Sequence, residues 1–225
     1  DSGHAVGNFI DEPVLILKTS QGNRSLSWDF LTPGSKQFEY KGKIYAGYKE
    51  TPLSGGKGTT PKPINWYAGK QYDDCIGAAH EVLRNFDKEF PHWNGRGYEI
   101  KGFAWWQGDK DRYVEAHAVN YEKNLVRLIK TLRAEFNAPK AMFVVATLGQ
   151  TAKDAQPSND KLILDAQLSV DGATGKYPEF KGNVSTVYTH PLSQGGASNS
   201  HYNGNAQTYM DVGLAMGEAM VELLK

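Results

Sequence analysis

The chain has one cysteine, Cys75, in 225 residues, so it can build neither an internal disulfide nor a metal site of several cysteines. Neither sign of charge is in excess, with 25 basic residues against 25 acidic ones. That balance disfavours nucleic acid as the main partner, because phosphate binding needs a basic surplus on some face. Long apolar runs are missing too. Val14–Leu17 and Ala141–Leu148 are far too short to span a bilayer, which predicts a soluble chain. No signal peptide is visible. The sequence opens at Asp1 in a polar, glycine-containing stretch, which reads as a processed or trimmed product. The lack of cysteine leaves the compartment open.

What is present alternates between strand and helix. Val14–Thr19, after Asp-Glu-Pro, has the unbroken apolar character of a buried parallel strand. From Gln21 to about Gly69 the chain is rich in Gly, Pro, Ser, Thr and Tyr, and so long an irregular stretch is usually functional. Helical spacing (Ile76, Ala79, Val82, Leu83, Phe86) marks about Gln71–Phe90, ended by Pro91. Cys75 falls in this pattern and reads as a small buried apolar residue.

Tyr98–Trp106 is a second strand. Glu115–Phe136 is the strongest helix, with Tyr121, Leu125, Leu128, Ile129 and Leu132 on one face. Ala141–Leu148 is a third strand, and Ser158 or Asn159 caps a helix running to about Val170. Val184–Tyr188 is a fourth strand. The last helix runs from about Asn205 to Leu224, with Tyr209, Val212, Met216, Met220 and Leu223 inward. This order predicts one α/β domain over 1–225: a mostly parallel sheet with helices on both faces.

In such a sheet the site lies at the carboxyl ends of the strands. The strand ends here are polar: Thr19–Ser25, Gln107-Gly108-Asp109 and Leu148-Gly149-Gln150, with His201 in the loop before the last helix. These groups should converge. Gly22-Asn23 suits a tight turn whose backbone N–H groups stabilise an oxyanion, or a plain strand-to-loop turn. Gln107-Gly108-Asp109 offers an amide, a close backbone approach and a carboxylate, or else helix-capping chemistry. His201 is the candidate general base, since histidine titrates near neutrality without strong perturbation. His190, after a strand end, is a weaker candidate. No two histidines have the spacing of a metal pair, so no catalytic metal is expected; a structural cation stays open.

Trp105 and Trp106 are adjacent in a strand and must face opposite sides. One suits the core and the other a pocket wall, with Trp106 the pocket candidate. Trp28, Trp66 and Tyr67 sit in the long irregular stretch, where aromatics either stack on sugar rings or pin the loop down.

Three blocks carry a resemblance. Glu12–Leu26 with Trp28, Gly102-Phe-Ala-Trp-Trp-Gln-Gly-Asp109, and His201-Tyr-Asn-Gly before a helix with Gly213 and Gly217 occur in this order along the chain. Together they resemble the sialate O-acetylesterase-like branch of the SGNH hydrolases, which includes acetylxylan esterases of carbohydrate esterase family six. The resemblance implies a flavodoxin-like three-layer α/β/α sandwich and deacetylation of carbohydrates by serine acyl transfer, without a cofactor. It implies a secreted or periplasmic location and an acetylated glycan as partner. It makes His201 the base, Asp109 its orienting acid, and Gln107 with Gly22 or Asn23 the oxyanion donors.

Two departures stand out. Many members carry an aspartate three residues before the histidine, where this chain has Ser198. The nucleophile block, a strand followed by Gly-Asp-Ser or Gly-Gln-Ser-Asn, is not found upstream of Val14. Asp1-Ser2-Gly3 mimics its end with no strand to aim the serine, and Ser20, Ser25 and Ser27 lie on no strand-to-helix elbow. The expectation is therefore an enzyme whose serine comes from an upstream segment, such as a fragment of the same precursor. The alternative is a catalytically inactive SGNH-like module that binds glycans or acts structurally. Without that strand, those at Val14 and Tyr98 should either pair with each other or leave a bare edge.

Overall fold

A computed structural model describes residues 2–51, 66–93 and 95–225. Residues 52–65 of the long irregular stretch, and Asp1 of the Asp1-Ser2-Gly3 sequence, lie outside the described residues. In chain order the elements are α1 (Ser2–Phe9), β1 (Phe38–Tyr40), β2 (Lys43–Tyr45), α2 (Lys70–Arg84) and α3 (Phe86–Glu89). Then follow β3 (Gly102–Trp106), α4 (Glu115–Glu135), β4 (Met142–Ala146), α5 (Asn159–Ser169), β5 (Val184–Val187) and α6 (Ala206–Leu224). The chain divides into two compact units, one of residues 1–16 and 101–225, the other of residues 17–100.

The first unit is a three-layer α/β/α arrangement. Its sheet has the order β3-β4-β5, all parallel, with Gly102 opposite Met142 and Phe143 opposite Val184. Alternation along the strands sends side chains to both faces. Val144 and Ala146 pack with Val212, Met216 and Met220 of α6, and α1 lies along α6. Phe143 and Val145 face the other way and are fully buried, as are Tyr121, Leu125 and Ile129 of α4 and Ile163 of α5. Burying each such side chain is worth about 1.5–3 kcal/mol. Trp105 and Trp106 do divide between the faces: the Trp105 indole N–H donates to Tyr121 of α4, and the Trp106 ring packs against Tyr209 of α6.

Helix ends follow local chemistry. Ser158 Oγ accepts the Lys161 N–H at 3.2 Å, and Asn205 Oδ1 accepts the Thr208 N–H at 3.0 Å, so each caps its helix.

One predicted strand is corrected. Val14–Thr19 forms no strand, and Val14, Leu15, Ile16 and Leu17 are 37%, 43%, 59% and 37% exposed. An apolar run becomes a strand only where a neighbouring ladder takes its N–H and C=O groups. Among the described residues β3 pairs with β4 alone. Of the two outcomes anticipated for these segments, the bare edge is the one found. The run also straddles the boundary between the units, which falls between Ile16 and Leu17.

The second unit holds the irregular stretch. It contains an antiparallel hairpin that composition did not suggest, β1 with β2, turned by Lys41 and Gly42, both at positive φ. Its core joins Trp28, Leu31, Ala46 and Ala68, with Trp66 packed against them. The predicted helix over Gln71–Phe90 is interrupted at Asn85, and Cys75 is buried within α2 as expected.

Candidate active site

The carboxyl ends of β3, β4 and β5 hold a connected set of polar groups, all within the first unit. Gln107 follows β3 directly. Its amide nitrogen donates to Asp111 Oδ2 at 2.8 Å, and the Tyr121 hydroxyl lies 3.1 Å from its amide oxygen and 2.7 Å from its backbone carbonyl. Gln167, fully buried on α5, donates to the same carbonyl at 2.8 Å and accepts the Leu148 N–H at 3.3 Å, bridging the ends of β3 and β4. Burial, reinforced by the Asp111 charge, pushes the Tyr121 phenol far above its ordinary pKa, so it is a fixed donor. Gly108 has φ +155° and lets the chain press onto α5, where a Cβ would meet Ile163 Cγ2 at 2.8 Å.

Asp109 points elsewhere. Its Oδ1 accepts from Arg112 Nε at 2.9 Å and from Ser198 Oγ at 2.7 Å. Arg112 also faces Asp160 at 3.5 Å. Burial lowers the Arg112 pKa, but the hydrogen bond to Asp109 and the charges of Asp160 and Asp109 outweigh it, so the guanidinium stays charged. The Ser198 N–H reaches Gln150 Oε1 at 3.4 Å, so the ends of β3 and β4 both grip the turn Ser198–Gly204. Gln150 Nε2 is buried with no partner among the described residues.

His201 stands in that turn, exposed, at φ 51°. Among the described residues its ring makes no hydrogen bond, and none joins it to Asp109. Tyr202 and Asn203 follow at φ 51° and 52°. Tyr202 is buried, stacked on Trp106 with centroids 6.1 Å apart, and its hydroxyl oxygen accepts the Gly149 N–H at 3.2 Å. Trp106 is half-buried between Tyr202 and Tyr209. His190 lies at the end of β5 with Nδ1 2.7 Å from the Gly149 carbonyl. A carbonyl only accepts, so Nδ1 carries the proton and Nε2 can accept when the ring is neutral.

The other predicted residues belong to the second unit. Gly22 and Asn23 form an exposed turn, with Asn23 at φ 57°. Trp28 is 8% exposed in that unit's core. Trp66 is half-buried; its indole N–H donates to Asp29 at 2.9 Å and the Arg24 guanidinium lies 5.0 Å over its ring. The Tyr67 hydroxyl donates to Asp73 at 2.8 Å, a bond that also raises its pKa. Buried Asp29 organises this part, since Oδ2 takes both the N–H and the hydroxyl of Ser25. Ser25 is thus committed to a turn, and Ser2 lies in α1 against Gly217 of α6.

The family profile described as carbohydrate esterase, sialic acid-specific acetylesterase, matches residues 56–222. The chain belongs to this family. No curated protein matches it. Among solved structures a protein from Arabidopsis thaliana is similar at 23% identity, over 67% of this chain and 52% of that one, with a TM-score of 0.46. This chain therefore spans about half the length of that relative.

The carbohydrate esterase match takes in Trp66, Tyr67, Trp106, Gln107, Asp109 and His201, and leaves out Gly22, Asn23 and Trp28. Among the described residues no three His, Cys, Asp or Glu side chains gather to hold a metal ion. Nor is any described helix long and apolar enough to cross a membrane. Sequence reasoning missed the partners of the site: Tyr121, Asp111, Arg112 and Gln167. Asp111, four residues after Gln107, and Arg112, three after Asp109, left a trace at the spacing of one helical turn.

Proposed function

We propose that this chain forms the base and oxyanion side of a carbohydrate O-acetylesterase acting by serine acyl transfer. The observation that carries the reading is the tie between Asp109 and the His201-bearing turn through Ser198, made at 2.7 Å where the strand ends meet. The serine hydroxyl attacks the acetyl carbonyl and gives its proton to His201. The imidazolium then protonates the departing sugar oxygen, and a water deprotonated by His201 releases acetate and frees the serine. Gln107 receives the oxyanion, and Asp109 stabilises the imidazolium. Trp106 offers a ring face to the sugar.

The reading puts the nucleophile on a segment outside 1–225, carried by a strand set parallel against the open edge of β3. That strand's carboxyl end would fall at the same rim as Asp109. The protein would work on acetylated glycans outside the cytoplasm. One observation favours a second reading, an inactive glycan-binding module: Asp109 is held by Arg112 and Ser198, and among the described residues not by His201.

Hydrolysis of p-nitrophenyl acetate and of acetylated saccharides separates the two. Intact mass and amino-terminal sequencing of the native preparation identify any companion fragment. Activity that needs such a fragment and disappears in His201→Ala is the expected result. Saccharide binding without hydrolysis in every preparation establishes the binding module. Hydrolysis unaffected by His201→Ala refutes the site assignment.

A further inference from the structure

The turn before α6 is more strained than a connection requires. His201, Tyr202 and Asn203 all have φ near +50°, and none is glycine. In a left-handed residue the Cβ crowds the following carbonyl oxygen, and such residues seldom occur in succession unless they are glycine. Conformations of this kind persist only where the surroundings over-determine them, and they gather at functional sites.

The holds can be named. Tyr202 is wedged between Trp106 and Tyr209 and fixed through its hydroxyl to Gly149. Asn203 donates to the Gly195 carbonyl, and Gly195, at φ +88°, lies so close to the Tyr202 carbonyl that a Cβ would meet that oxygen at 2.1 Å. Ser198 fixes the start of the turn to β3 through Asp109 and to β4 through Gln150. His201 takes part in none of this: its ring is exposed and unbonded among the described residues. The strain thus gives His201 no contact of its own. What it does is present the imidazole beyond the strand ends.

We infer that Ser198 is a positioning residue, which transfers the anchoring carboxylate of Asp109 to the histidine-bearing turn. Asp109 is fixed by Arg112 on one side, and its Oδ1 takes the Ser198 hydroxyl on the other. Position 198 therefore needs no carboxylate of its own, since one arrives from the end of β3 through a single hydrogen bond. This rests on the esterase reading for its catalytic consequence, and on geometry alone for the hold on the turn.

The two parts are tested separately. In the 225-residue chain, backbone NMR shifts and couplings of residues 201–203 report positive φ directly. Ser198→Ala should shift the signals of residues 198–201 and weaken that signature at His201 while α6 keeps its shifts, and Ser198→Thr, which retains the hydroxyl, should preserve it. In whichever form of the protein hydrolyses p-nitrophenyl acetate, Ser198→Ala should lower kcat on the order of 10–100-fold with KM within about twofold, and Ser198→Thr should restore most of the rate. Unchanged positive-φ signals in Ser198→Ala overturn the inference whatever the activity. So does a threonine variant as impaired as the alanine one. If no form of the protein hydrolyses esters, the esterase reading falls, and the shifts still decide whether Ser198 holds the turn.

Discussion

The two edges of the β3-β4-β5 sheet are finished differently. Along β5 the chain turns back and covers the outer edge: the Gly172 N–H donates to the Val184 carbonyl at 2.9 Å, and the Thr186 N–H donates to Asp171 Oδ2 at 2.8 Å. Along β3 no strand lies on the far side among the described residues, and Ala104 in mid-strand is exposed. An uncovered parallel edge is a template for another strand, and proteins usually blunt such edges with loops, charge or bulges. A sheet sealed on one side and open on the other has a direction in which it can be extended. That direction is where the esterase reading sets the serine-bearing strand.

The largest expected effect lies at the centre, the reference for both edges. Phe143→Ala on β4 removes a fully buried ring and should cost about 3–5 kcal/mol in denaturant unfolding. Next comes the sealed edge. A Cβ at Gly172 would meet the Phe180 carbonyl at 2.3 Å and the Val184 carbonyl at 2.6 Å, so Gly172→Ala should cost about 1–3 kcal/mol by the same measurement.

Asp171 gives a smaller, pH-dependent effect. Burial alone would raise its pKa, but the bonds it accepts from Thr186, Thr174 and Ala173 together hold it below the usual carboxylate range. A carboxyl whose folded pKa is depressed adds stability that is complete above its unfolded value. That contribution is lost as pH falls below about 4 and through the lower folded value. Asp171→Asn should cost about 1 kcal/mol at pH 7 and flatten the acid limb of the stability profile. The smallest effect on stability belongs to the unpaired run Val14–Leu17. Ile16→Lys should change unfolding by less than about 0.5 kcal/mol, since the side chain is 59% exposed. It should nevertheless reduce concentration-dependent association in light scattering, because it places charge in an uncovered apolar run. If Ile16→Lys is instead as damaging as Phe143→Ala, the run is buried in solution and the contrast between it and the β4 strand fails.

Val14–Leu17 and Phe143–Val145 show how far the residues alone could be read. Both are short apolar runs, and both carry the pattern of a buried parallel strand. One is a central strand with neighbours on both sides; the other forms no ladder. Periodicity located α4, α5 and α6 well because a helix satisfies its backbone internally, and its apolar face and caps are written locally. The hairpin turned by Lys41-Gly42 was missed because its strands are only three residues each. α1 was missed because Ser2–Phe9 carries glycines and only two large apolar residues.

The sequence by itself determined the order of helices and strands, the opposite facing of Trp105 and Trp106, and the polar groups at the strand ends. These depend on spacing along one segment. Tertiary structure alone decided that Asp109 meets Ser198 across 89 residues, that Tyr121 and Gln167 lock Gln107, and that Val14–Leu17 stays unpaired. Each of those outcomes depends on a partner distant in the chain, and a partner's position is fixed only when the layers pack.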